Sequence, residues 1–170
     1  MSAQIVKKCA VAVVLAIAAT LPQFPLLKTS PEGLRLIADA EGCELSPYRC
    51  SAGVLTNGIG HTAGVVPGKV ITERIAASNL VSDVLLVEKR LTACLTVMPP
   101  RHVWDALVSI SFNVGTGAIC RSTLVVFINR HQWWQACHQL PRWVYVNGVI
   151  NAGLERRRAR EMAWCLTGTE

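Results

Sequence analysis

Glu41-Gly42-Cys43-Glu44-Leu45-Ser46-Pro47-Tyr48-Arg49-Cys50-Ser51-Ala52-Gly53-Val54-Leu55-Thr56-Asn57-Gly58-Ile59-Gly60-His61-Thr62 reads as a compact β hairpin set directly behind a helix end. Tyr48-Arg49-Cys50 is a short strand, Ser51-Ala52-Gly53 a tight turn and Val54-Leu55-Thr56 the return. Asn57-Gly58 predicts a second turn, and Ile59-Gly60-His61 a third strand. A three-residue loop places Cys50 opposite Val54, and period two puts Thr56 on their face. A thiol and a hydroxyl therefore share one sheet face.

The helix ahead of this hairpin starts at Thr29-Ser30-Pro31-Glu32. Thr29 with Glu32 fits a capping box, and Ser30 with Pro31 at the first helical position fits equally well. Leu34, Ile37, Ala38 and Glu41 then recur at helical spacing, so Glu41 falls on the apolar stripe just before Gly42. A carboxyl on a buried face has its charged form disfavoured, the property a general acid needs near neutral pH. The alternative for Glu41 is a carboxylate at the rim of the helix end, in contact with water.

The chain has 170 residues, enough for one domain or one domain cut into two lobes. Apolar residues make up 51% and charged residues 16%, which excludes a disordered chain. Seventeen Lys and Arg less eleven Asp and Glu give a net charge of +6. The seven cysteines are many for a reducing compartment, and the odd number leaves one thiol without an intramolecular partner. No C-x2-C pair or His-x3-5-His pair occurs, so a structural zinc site has little support, and no metal or cofactor is expected.

The apolar excess is concentrated at the start. Lys7-Lys8 precede thirteen residues, Cys9 to Leu21, of which only Thr20 is not apolar. This is the basic and then apolar pattern of an export signal, with Ala18-Ala19-Thr20 as a cleavage point. Extended through Leu27 it has nineteen residues, just enough for a weakly held, uncleaved anchor. Both readings send residues 28–170 through an export machinery to an oxidising compartment.

Glu41-Gly42-Cys43, Tyr48-Arg49-Cys50 and Leu55-Thr56-Asn57-Gly58-Ile59-Gly60-His61-Thr62 together resemble the active-site segment of T4-type phage lysozymes. In that family a Glu is followed after eight residues by an Asp, and after five more by a Thr. Here eight residues separate Glu41 from position 50 and five separate position 50 from Thr56, but position 50 is Cys. The chain is similar in this to the signal-arrest-release endolysins that carry Cys there. Trp104-Asp105-Ala106-Leu107-Val108-Ser109-Ile110-Ser111-Phe112-Asn113-Val114-Gly115-Thr116-Gly117 and the stretch Gly153 to Gly168 extend the resemblance over nearly the whole chain.

The resemblance implies an α+β, lysozyme-like two-lobe fold, with a small N-terminal β-hairpin lobe and a larger helical C-terminal lobe. It implies a muramidase that cuts peptidoglycan between N-acetylmuramic acid and N-acetylglucosamine and lyses the host. Glu41 would protonate the leaving oxygen, Cys50 would orient water or act as nucleophile, and Thr56 would position water. The family pattern is inverting and water-mediated; Cys in place of Asp leaves the stereochemistry open. His61 borders the motif, a weak candidate for a base and a better one for holding the loop.

Position 50 also suggests a switch, which the resembling subset supports. A Cys43–Cys50 bridge would consume the catalytic thiol while Cys9 is embedded in the inner membrane with residues 9–27. On release, Cys9 would attack that bridge, forming Cys9–Cys43 and freeing Cys50. The alternative is a plain Cys43–Cys50 staple, with Cys9 lost in a cleaved leader. For the other four cysteines, the family's helical lobe suggests Cys94 with Cys165 and Cys120 with Cys137.

The remainder predicts helices over Thr72 to about Leu95, Val103–Asn113, Ile119–Asn129, Gln132–Leu140 and Leu154–Cys165. Trp104, Trp133, Trp134, Trp143 and Trp164 are expected mostly in the core. Arg156, Arg157, Arg158 and Arg160 read as a solvated basic face or as an attraction to an anionic envelope. The export signal and the lack of a recognition motif argue against nucleic acid as a partner. The expected state is a monomer, tethered to the inner membrane and then released to the periplasm. Two other classes compete with the muramidase: a tethered wall-binding module inactivated by Cys50, and a toxin acting through residues 1–27.

Overall fold

A computed structural model describes residues 7–168, in two compact units. One comprises the residues up to Leu27 together with Ala38–Leu85; the other comprises Lys28–Ile37 and Leu86 onward. The backbone passes from one to the other three times, after Leu27 and within two helices, α2 (Pro31–Glu41) and α3 (Glu73–Cys94).

In the first unit, α1 (Val11–Ala18) is followed by a 3-10 turn, Phe24–Leu26. Val14, Ala18 and Leu21 are buried, so the apolar leader contributes to the core. No helix among the described residues is long and apolar enough to cross a membrane. Strands β1 (Glu44–Arg49) and β2 (Leu55–Gly58) pair antiparallel, with Tyr48 opposite Thr56 and Arg49 opposite Leu55. The expected third strand at Ile59–His61 reduces to one bridge, Asn57 with His61, because Gly58 and Gly60 turn the chain too tightly for a ladder. An unexpected element takes the other edge. Lys8 bridges Glu44, the Leu45 N–H donates to Lys7 O at 2.7 Å, and the Cys9 N–H donates to Cys43 O at 3.1 Å. The Cys9–Cys43 disulfide, Cα–Cα 5.2 Å, locks that seam.

The second unit is helical. The Ser30 hydroxyl caps α2 by accepting from the Gly33 N–H at 3.1 Å, so Ser30 rather than Thr29 is the N-cap. Thr29 instead donates its N–H and hydroxyl to buried Glu88. Asp105, fully buried, accepts from the Ser30 N–H and hydroxyl at 2.9 and 2.5 Å and from the Trp164 ring N–H at 3.0 Å. Helix α4 (Arg101–Val114) begins after Pro100 and is buried along Val103–Ser111. The expected helix at 119–129 is broken into α5 (Thr116–Cys120) and α6 (Thr123–Asn129), where the Ser122 hydroxyl turns back to Ile119 O. The expected Gln132–Leu140 helix ends early as α7 (Trp133–Cys137), and a 3-10 turn, Leu140–Arg142, follows. A small ribbon, β3 (Tyr145–Val146) and β4 (Val149–Ile150), precedes α8 (Ala152–Cys165).

Three expectations need correction. The helical unit pairs Cys94 with Cys120 and Cys137 with Cys165, not Cys94 with Cys165 and Cys120 with Cys137. The bridges join helix ends 26 and 28 residues apart, with Cα–Cα 5.8 and 5.7 Å, where the short α5 and α7 return the chain. Of the tryptophans only Trp104 is fully buried, and Trp134 is 55% exposed, stacked on His138. The arginine run is not a solvated face throughout. Arg157 and Arg158 are buried and both bind Glu161, itself 1% exposed. Ser109 donates to the same carboxylate at 2.6 Å, and Arg158 donates to Asn113.

Candidate active site

Glu41 is the last residue of α2, half-buried rather than fully on the buried stripe. The helix stops there because Gly42 adopts φ +70°, a left-handed conformation that closes a helix end at little cost. Strand β1 starts three residues later, so helix end and hairpin are covalently close.

The hairpin sets the other two groups. Its tip is closed by the Cys50 N–H donating to Val54 O at 3.0 Å and the Gly53 N–H donating to Cys50 O at 2.8 Å. Cys50 is thus opposite Val54, as the loop length predicts. Tyr48 pairs with Thr56, so Tyr48, Cys50 and Thr56 stand on one face of the ladder. Cys50 carries the one free thiol among the described cysteines and is partly exposed. Backbone N–H groups of the turn, first that of Ala52 and then that of Val54, hold the thiol below its ordinary value. Partial burial opposes this and the Thr56 side chain assists it.

Thr56 is buried, and its hydroxyl donates to Val54 O at 3.0 Å. Burial pushes the Tyr48 phenol up, and the negative charges of Glu41, Glu44 and Cys50 add to the shift. Tyr48 is therefore a neutral donor set among the acid groups. Its seat on the Cys50 face is readable from period two.

His61 and Asn57 line a separate cavity of about 210 Å³ with Lys69, Ile71, Ile75 and Asn79. His61 Nδ1 lies 2.7 Å from Asp83 Oδ2 on α3. It holds the hairpin's far end to the helix, which agrees with a loop-holding role. Asp83 gave no local signal in the sequence, since its partner lies twenty-two residues away. Burial raises the Asp83 carboxyl, and His61 partly offsets the rise.

Chemically, this unit offers a carboxyl, a tuned sulfur and a hydroxyl within one helix end and hairpin, the inventory needed for acid-assisted attack on an acetal carbon. A family model described as phage lysozyme matches residues 38–161. The chain is 33% identical over 154 residues to the SAR-endolysin of Escherichia phage P1, covering 84% of this chain and 83% of that protein. Its structure is similar to that of the active form of P1 phage endolysin Lyz, with TM-score 0.86, 32% identity and coverage of 96% and 97% of the two chains. The secreted inactive form of the same endolysin matches with TM-score 0.56 at 32% identity, over 84% of this chain and 97% of that one.

Proposed function

The chain belongs to the phage lysozyme family, and from that premise we propose that Glu41, Cys50 and Thr56 are its working residues. The protein is a lysozyme-type glycoside hydrolase. It cleaves the β-1,4 bonds between N-acetylmuramic acid and N-acetylglucosamine in bacterial peptidoglycan and acts in host-cell lysis. Glu41 gives its proton to the leaving oxygen as the glycosidic bond breaks. Cys50 faces the developing oxocarbenium, where its sulfur orients the attacking water or bonds to the anomeric carbon. Thr56 has one hydroxyl proton and two acceptors. Its hydroxyl donates to Val54 O, and its side chain adds to the lowering of the Cys50 thiol. The observation that carries this reading is the free Cys50 on the same hairpin face as Thr56.

We also propose that the protein is exported and held by residues 9–27 in the inner membrane, with Cys43 bonded to Cys50, before it works in the periplasm as a monomer. The described state, with Cys9 bonded to Cys43 and Cys50 free, fits the released product. Its better match to the active than to the inactive form of the P1 endolysin supports that assignment.

Turbidity loss of outer-membrane-permeabilised cells, read together with reducing-sugar release, tests the hydrolase. Glu41→Gln should lower both by about 10²–10⁴-fold. Wall binding with no sugar release from the wild type would favour an inactive binding module. Depolarisation by a peptide of residues 1–27 alone would favour a toxin.

A further inference from the structure

The β3–β4 ribbon is built around Asn147 and Gly148, at φ 50° and 77°, a turn that fits the twist of a two-residue hairpin loop. Tyr145 pairs with Ile150 and Val146 with Val149, and the base is closed by the Asn151 N–H donating to Val144 O at 2.8 Å. Successive pairs point to opposite faces. A hairpin in a core would bury one of them. Here both are open: Tyr145 is 58%, Val146 46%, Val149 69% and Ile150 51% exposed. This apolar surface adds little to folding, and a lone two-residue ribbon is not stable by itself.

We propose that this ribbon is a docking tip for an anionic lipid surface. The chemistry selects lipid over the alternatives. A sugar needs convergent hydrogen-bonding groups, and the four outward side chains offer only the Tyr145 hydroxyl. A second copy would need an edge to pair with, and strands of two residues provide too few backbone bonds. A lipid interface needs an apolar tip, an aromatic ring at headgroup depth and a cationic flank. The flank carries one net positive charge, Arg142 and Arg156 against Glu155. Residues 140–154 contain Arg142 and no Asp or Glu, and exposed Arg142 is held by Gln139 and Thr123, not by a carboxylate. Arg156, also exposed, follows in the second turn of α8 and offsets Glu155. With a net charge of +6, the whole chain is drawn to the same sign of surface.

The test uses the full chain with the Cys9–Cys43 bridge, sedimented with vesicles of dioleoylphosphatidylcholine alone or in equimolar mixture with dioleoylphosphatidylglycerol. The wild type should partition onto the anionic vesicles and be released by salt. Val149→Ser with Ile150→Ser should weaken that binding by about tenfold. The amides of residues 145–150 should exchange more slowly with vesicles present. Hydrolysis of soluble peptidoglycan by the double variant should stay unchanged, which shows that the fold is intact and keeps this result separate from that of the hydrolase. Equal binding by the variant, protection mapped to residues 9–27 instead, or equal binding to neutral vesicles would overturn the proposal. So would protection of the ribbon by a second copy or by peptidoglycan fragments without lipid.

Discussion

At position 50 a sulfur stands where the T4-type pattern has a carboxylate, and the hairpin compensates with its own amides. Because the turn N–H groups lower the thiol pKa, the thiolate persists at lower pH than on an ordinary cysteine. Iodoacetamide labelling of Cys50 against pH should therefore have its midpoint below that of free cysteine. Thr56→Val removes one donor to the sulfur, so the midpoint should move up while activity falls by about tenfold or more. A midpoint that stays in place would show that Thr56 does not act on the sulfur. Cys50→Asp restores the family carboxylate and should keep the hydrolase active after treatment with the alkylating agent.

Asp83 gives a second residue-scale prediction. Its folded pKa lies above 3.8, chiefly through burial, so its contribution to stability is full below that pH and is lost as pH rises through the folded value. Asp83→Asn lacks this loss. Urea unfolding between pH 3 and 6.5 should show the variant gaining on the wild type as pH rises. A gap widening in favour of the wild type would mean that the His61 bond outweighs the cost of burial.

Among the elements, α8 shows how far a charge pattern can be read. Its helical spacing and its cysteine were legible, whereas the side facing inward was not, because four arginines look alike until a buried carboxylate selects among them. Glu161 selects Arg157 and Arg158, and the three charges sit in the interior with Ser109. Removing one partner from such a cluster leaves uncompensated charge. Glu161→Ala should cost about 3–5 kcal/mol in urea unfolding. Glu155→Ala, at an exposed position on the same helix, should stay within about 0.5 kcal/mol.

The same contrast separates what was legible elsewhere. The Cys50–Val54 register followed from loop length alone, and Gly42 marked the end of α2. The disulfide partners of Cys94 and Cys165 were illegible because they depend on breaks at Ser122 and after Cys137 that an apolar pattern does not mark. The edge formed by Lys7–Cys9 was hidden because an Ala- and Val-rich leader reads as lipid-facing whether or not a core receives it.

For the whole molecule, the proposed tether would make timing part of the chemistry. Val14, Ala18 and Leu21 are buried in the state with free Cys50, so under the proposed tethering the residues held in the bilayer would become core on release. Both destinations satisfy the same apolar side chains, and the disulfide can record which one has been taken. The proposed exchange needs no external oxidant. Cys9 thiolate attacks the Cys43 sulfur, the Cys43–Cys50 bond breaks, and Cys50 leaves as a thiolate while Cys9–Cys43 forms. Deleting residues 1–27 would remove core as well as the thiol, so substitution is the cleaner probe. Wild-type protein in the released state should take up one alkyl group per chain under non-reducing conditions. Cys9→Ser should be exported, take up none and fail to lyse, because Cys43 keeps Cys50. Adding Cys43→Ser to it should restore one reactive thiol and lysis together. Cys9→Ser protein that takes up two alkyl groups, or that lyses normally, would show that Cys43 and Cys50 do not pair, and the leader would then be a tether without a redox function.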